Sequence, residues 1–175
     1  MTPQTSTDPI DALEVSRHHF EAATQGFSDS EALAKPAAEQ WSVIDCIEHI
    51  CITESLGLKR LQSAEAAPEP SLNPEKEAAM AAQVENRATK FQGPPVAMPT
   101  GRFATLSEAL AEFAATRGRT IEFVRDCPSL AALRVNHPVF GQLTGREYAL
   151  LIAGHCRRHA AQIAEIRATS AQSRG

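Results

Sequence analysis

The sequence predicts an all-α protein built as a four-helix bundle. Four segments place apolar residues at helical spacing, two of them open on capping-type sequences, and no stretch reads as a β-strand. At 175 residues, a single domain over 1–175 with a substantial core is expected.

The first helix is expected over about residues 8–25, with Ile10, Leu13, Phe20 and Ala23 facing inward and Gly26 as its stop. The second, about 42–67, opens after Trp41, where Ser42 and Asp45 resemble a capping pair. Its apolar stripe is Val43, Ile47, Ile50, Cys51, Leu58 and Leu61. A connection over about 68–104 follows, holding six of the chain's eleven prolines: Pro68, Pro70, Pro74, Pro94, Pro95 and Pro99. A short helix near 75–88 fits there, with the remainder extended. The third helix, about 106–127, is stopped by Pro128. The fourth, about 144–169, begins at the T-x-x-E box Thr144-Gly-Arg-Glu147. A short first link makes an antiparallel pair, and the long proline-rich crossover returns the chain parallel to the second helix. The third link then reverses it, giving an up-down-down-up order.

Composition excludes several functions. A net charge of −4 and pI near 5.9 provide no basic face for nucleic acid. Aromatics at 5% make no stacking platform for single strands. No apolar run approaches the roughly 18 residues of a membrane span. The polar start, Met1 to Pro9, lacks the order of a signal peptide, so a cytoplasmic protein is expected. Cys46, Cys51, Cys127 and Cys156 form no C-x-x-C, which suits free thiols in a reducing compartment.

The chemistry concentrates on His155 and His159. Spaced i,i+4 on the fourth helix, their Cβ atoms stand roughly 6 Å apart on one face. They sit within the stripe Tyr148, Leu151, Ile152, Gln162 and Ile166 and therefore point inward. Buried imidazoles need partners for their ring nitrogens, and a divalent cation is the sharpest such partner. The bland alternative is a hydrogen-bonded pair of core histidines. His49 is the best third ligand: helical rise puts it within about a turn or two of the level of the pair under the predicted topology. It lies off the main stripe, however, with Ile52 and Leu56, so periodicity leaves its direction open.

Cys46, one turn before His49, is a weaker candidate for a fourth ligand. Glu54 and Gln162, polar residues on apolar stripes, are candidates to hydrogen-bond the imidazoles and fix their tautomers, or else to make structural contacts. His137 belongs near the opposite end of the bundle, and His18 and His19 read as solvated. No histidine follows Glu by three positions, which excludes the di-iron carboxylate pattern. Cys156, Arg157 and Arg158 stand where H-E-x-x-H would carry a base, which excludes zincin chemistry. Two histidines on one turn cannot sandwich a haem. Three imidazoles would suit Zn²⁺ or Ni²⁺ with an open position.

Trp41-Ser42, Ile47-Glu-His49-Ile50, the proline-rich crossover, His137-Pro-x-x-Gly141 and His155-x-x-Arg158-His159-x-x-Gln162-Ile163 together resemble the DinB-like superfamily. The resemblance spans about residues 10–168. It implies a four-helix bundle of the order above, a divalent metal on His49, His155 and His159, and a homodimer. It further implies a metal-dependent enzyme acting on a small molecule, such as a transferase that activates a low-molecular-weight thiol for attack on an electrophile. On that reading Arg102, at the end of the crossover, could meet an anionic thiol cosubstrate. Metal-assisted hydrolysis and a non-catalytic, stress-linked metal-binding module stand as alternatives.

Overall fold

In the computed structural model, which describes residues 7–91 and 93–172, long helices pack around two adjoining apolar clusters. The first six residues of the polar start lie outside the described residues. The long helices are α1 (Pro9–Thr24), α3 (Val43–Gln62), α5 (Leu106–Asp126) and α6 (Gly145–Gln172). Two short ones, α2 (Asp29–Leu33) and α4 (Pro74–Glu85), sit in the connections.

Local sequence fixes where the helices begin. Ser42 and Asp45 form a reciprocal capping box on α3, and Thr105 and Glu108 form one on α5. Thr144 and Glu147 exchange the same pair of hydrogen bonds before α6, at 2.8 and 3.0 Å. Each such cap is worth about 1 kcal/mol. Helix α3 ends at Gln62, five positions before the expected 67. The chain there leaves the helix for a strand.

That strand is a departure from the all-helical expectation. β1 (Glu65–Ala66), β2 (Leu133–His137) and β3 (Gly141–Thr144) make an antiparallel sheet in the order β1-β2-β3. Arg134 pairs with both Glu65 and Thr144. The strands are too short to show alternation in sequence, and pairing with each other specifies them. Gly141, at φ +68°, closes the turn over residues 138–140 and opens β3.

Side-chain contacts set the helix directions. Arg146 Nη2 donates to the Thr7 carbonyl and Arg167 Nη2 to those of Ala23 and Gln25, so α1 and α6 run parallel. Arg117 reaches Leu13 while Phe113 meets Phe20, making α5 antiparallel to α1. Arg60 meets Tyr148 while His49 meets His155, making α3 antiparallel to α6. The order is up-down-down-up. At Gly57 the two site-bearing helices come close, since a Cβ there would lie 3.1 Å from the Tyr148 ring. At Gly154 α4 packs directly on α6, where a Cβ would stand 2.5 Å from Val84 Cγ1.

Helix α3 is buried all round from Ser42 to Cys51. The bundle covers one face, and the returning connection, with a 3-10 turn at Pro95–Ala97, covers the other. This explains how His49 is buried although it lies off the apolar stripe.

Candidate metal centre

The imidazoles of His49, His155 and His159 meet between α3 and α6. His155 Nε2 lies 3.3 Å from His49 Nε2 and 3.1 Å from His159 Nε2. The three ligand-capable nitrogens fall within 4.8 Å of one another. His49 and His159 are buried, and His155 is partly exposed.

The tautomer of His49 follows from its neighbour. Its Nδ1 lies 2.7 Å from the Ala97 carbonyl oxygen, which can only accept, so Nδ1 carries the proton. Its Nε2 therefore presents a lone pair to the other two rings. Three nitrogens so close cannot all be matched by protons among themselves, whereas a cation accepts all three lone pairs. The donor set thus fits a divalent metal of the Zn²⁺ or Ni²⁺ kind.

Electrostatics keep the rings neutral, the form that ligates. Burial, reinforced by His49 and Arg158, pushes His155 down to about 3. Burial, then His155 and His49, holds His159 well below its ordinary value. Burial also lowers His49, partly offset by the bond to Ala97. The single tryptophan walls the site, its ring 4.7 Å from His49 and 5.9 Å from His159, stacked on the latter.

Other candidates are placed elsewhere. Glu54 does not reach the imidazoles, because a bidentate pair with Arg117 at 2.8 and 2.8 Å occupies both its oxygens. Arg102 does not face the rings either, since its guanidinium lies 3.4 Å from Glu112 and over the Phe103 ring. Cys46 is buried and outside the cluster, and burial raises its thiol to about 12. Gln162 stands beside His159 and accepts from Arg87 Nη1 at 3.3 Å. His137 lies at the sheet end, its Nδ1 accepting from the N–H of Val139 and Phe140. His18 and His19 are exposed.

Sequence reasoning passed over Glu48 and Arg158. Glu48 is buried and accepts from the backbone of Thr100, Gly101 and Arg102 and from the Thr100 hydroxyl. Burial pushes its carboxyl up, but these four bonds outweigh burial and hold it below the usual range. A charged residue beside a ligand on an otherwise buried turn was the available signal.

A family description, the DinB superfamily, matches residues 12–163. The chain belongs to the DinB superfamily. The uncharacterized protein YuaE of Bacillus subtilis (strain 168) is 28% identical over 145 residues, covering 82% of this chain and 87% of that protein. Two solved structures share the fold at 18% identity and a TM-score of 0.57. YfiT from Bacillus subtilis, described as a probable metal-dependent hydrolase with an unusual four-helix bundle topology, covers 98% of this chain and 94% of its own. TT2238, a four-helix bundle protein, covers 88% and 94%. No helix among the described residues is long and apolar enough to cross a membrane.

Proposed function

We propose that this DinB protein is a metal-dependent enzyme in which His49, His155 and His159 hold one divalent cation facing a small-molecule substrate. The observation that carries it is the convergence of three neutral imidazoles through Nε2. When bound, a divalent cation supplies Lewis acidity and lowers the pKa of a coordinated water or thiol. The chain itself supplies the fixed His49 tautomer, the Trp41 wall and the partial exposure of His155, the side from which a substrate can enter.

The reaction we favour is transfer of a low-molecular-weight thiol to an electrophile. Among the described residues no carboxylate joins the cluster, and the carboxylate beside it, Glu48, is fully engaged by the crossover. A thiol, with an ordinary pKa near 8.5, needs only a modest shift to ionise at neutral pH and hence no general base. Hydrolysis is the second reading, supported by the description of YfiT. A cytoplasmic homodimer completes the proposal, and light scattering on the eluting protein tests the assembly.

The decisive experiment loads metal-free protein with Zn²⁺ or Ni²⁺ and follows monobromobimane conjugation across a panel of cellular thiols. A metal-dependent rate above background with one thiol is expected. Rates equal to background for every thiol, together with metal-dependent ester or amide cleavage, would replace transfer by hydrolysis.

A further inference from the structure

Each ligand helix carries a buried charge immediately before a histidine: Glu48 before His49 on α3, and Arg158 before His159 on α6. Both charges go to the connection between α4 and α5, Arg158 also reaching the last turn of α4. Arg158 Nη1 donates to the carbonyls of Val84 and Asn86, and Nη2 to that of Thr89. The Phe91 ring lies 5.1 Å from its guanidinium carbon. At the far end Glu48 takes the N–H groups of Thr100, Gly101 and Arg102 and the hydroxyl of Thr100, at 2.8 to 3.1 Å. Between these anchors the chain passes over His49, and the Ala97 carbonyl takes the Nδ1 proton at 2.7 Å.

We propose that Glu48 and Arg158 are positioning residues for the metal site. They hold residues 86–91 and 93–102 across the bundle so that Ala97 locks His49 as its Nδ1–H tautomer, leaving the Nε2 lone pair for the cation. The inference rests on the three-histidine reading above and extends it to residues that touch no metal.

The physical case has two parts. A neutral imidazole without a fixed partner divides between two tautomers, and the Nε2–H form cannot ligate through Nε2. Helix α3 cannot supply an acceptor for its own His49, because its carbonyls are engaged along the helix axis. A crossing segment can. Burying a carboxylate and a guanidinium is costly unless both are hydrogen-bonded, and here both are bonded to backbone of one connection. Two independent anchors on a proline-rich segment fix its path between them, which is what a single carbonyl aimed at a ring nitrogen requires.

The test compares wild type with Glu48→Gln, Arg158→Lys and Thr100→Val by two readouts. In metal-free protein, ¹⁵N-histidine NMR reports the tautomer of His49, with amide exchange at residues 100–102 read alongside. Wild type should show Nδ1–H, whereas Glu48→Gln should populate Nε2–H and exchange faster. Zn²⁺ affinity by chelator competition should fall about 10- to 100-fold in Glu48→Gln and Arg158→Lys, the range typical of lost partners behind a ligand. Thr100→Val, which removes one neutral donor, should lose about threefold. If His49 keeps its tautomer and Zn²⁺ affinity stays within about twofold in variants whose amide exchange has accelerated, the positioning role is overturned. Should Glu48→Gln fail to fold, the other two variants decide the same question. Wild type that binds no metal would sink the three-histidine reading alone, because the metal-free tautomer still tests the positioning claim.

Discussion

Barely more than a turn separates two buried polar groups on α3, and they are built in opposite ways. Glu54 meets Arg117, and the pair is 2% and 0% exposed. Arg117 Nε and Nη2 take both carboxylate oxygens, while Nη1 donates to the Leu13 carbonyl and the Ser16 hydroxyl. Charge and hydrogen bonds are both matched within the protein, and the cluster ties α1, α3 and α5 together. The three histidines carry no charge, crowd their Nε2 atoms together, and leave His159 Nδ1 buried without a hydrogen bond. A matched cluster is finished by folding, whereas a convergent, unmatched one is finished by a ligand. The contrast separates residues that hold the bundle together from residues available for chemistry.

The strongest way to break this comparison is to unmatch the matched cluster. Glu54→Ala leaves the Arg117 guanidinium buried without its counter-charge, and about 3–5 kcal/mol of stability should be lost. Urea denaturation of metal-free protein measures it. A loss below about 1 kcal/mol would mean that Arg117 reaches water and that the two clusters are not so different. The converse change is His159→Ala. It should abolish stoichiometric metal, read by elemental analysis of protein purified without affinity nickel. It should also remove the metal-dependent stabilisation of wild type, about 2.7 kcal/mol at a hundredfold excess over Kd. Retained stoichiometric metal in this variant would contradict the ligand assignment.

Different kinds of signal explain why parts of this contrast could be read in advance. The i,i+4 spacing of His155 and His159 is local, and the stripe around them gave their direction. The four long helices and their order were legible for the same reason, since periodicity, caps and link lengths are all local. His49 was ambiguous because what buries its face of α3 is a distant segment, contacting it through the Ala97 carbonyl. Glu54 was left between two readings on the same grounds, and its pair with Arg117 is the structural one. A polar residue on an apolar stripe announces a partner but does not name it, and Arg117 sits on a helix far along the chain. The sheet went unseen because strands as short as Glu65–Ala66 exist only through pairing. Exposed Arg102 faces Glu112, a neighbour on α5 that loop placement alone could not supply.

Acid sharpens the comparison with a smaller effect. His155 is held at about 3 in the folded protein, against an ordinary value of 6.5, so folding disfavours its protonation. His49 and His159 are shifted in the same direction. A depressed histidine contributes no penalty above its unfolded pKa, and stability is lost progressively as pH falls below 6.5 toward 3. Metal should dissociate toward the lower part of that window, because protons compete with the cation for these nitrogens only as pH approaches their depressed folded values. Quenching of Trp41 fluorescence by Ni²⁺, titrated at successive pH values, follows the loss. Affinity that already falls steeply between about pH 7 and 6 would mean that the rings titrate at ordinary values and that burial does not hold them neutral.

The smallest predicted effect concerns Gln162. His159 and His49 differ in how their far nitrogens are held. Ala97 takes the Nδ1 proton of His49 at 2.7 Å, while His159 Nδ1 has no bond of comparable geometry. Gln162 is beside it and favours the protonated ring, but its oxygen accepts from Arg87. Gln162→Leu should therefore lower Zn²⁺ affinity only about two- to fivefold, the worth of one weak neutral hydrogen bond. A drop of tenfold or more would mean that metal binding turns the amide onto Nδ1 and releases Arg87 to Glu165 alone, its partner at 2.8 Å. In that case the unmatched cluster would be completed by the ligand at two atoms rather than one, and the Arg87–Glu165 pair would respond to occupancy of the site.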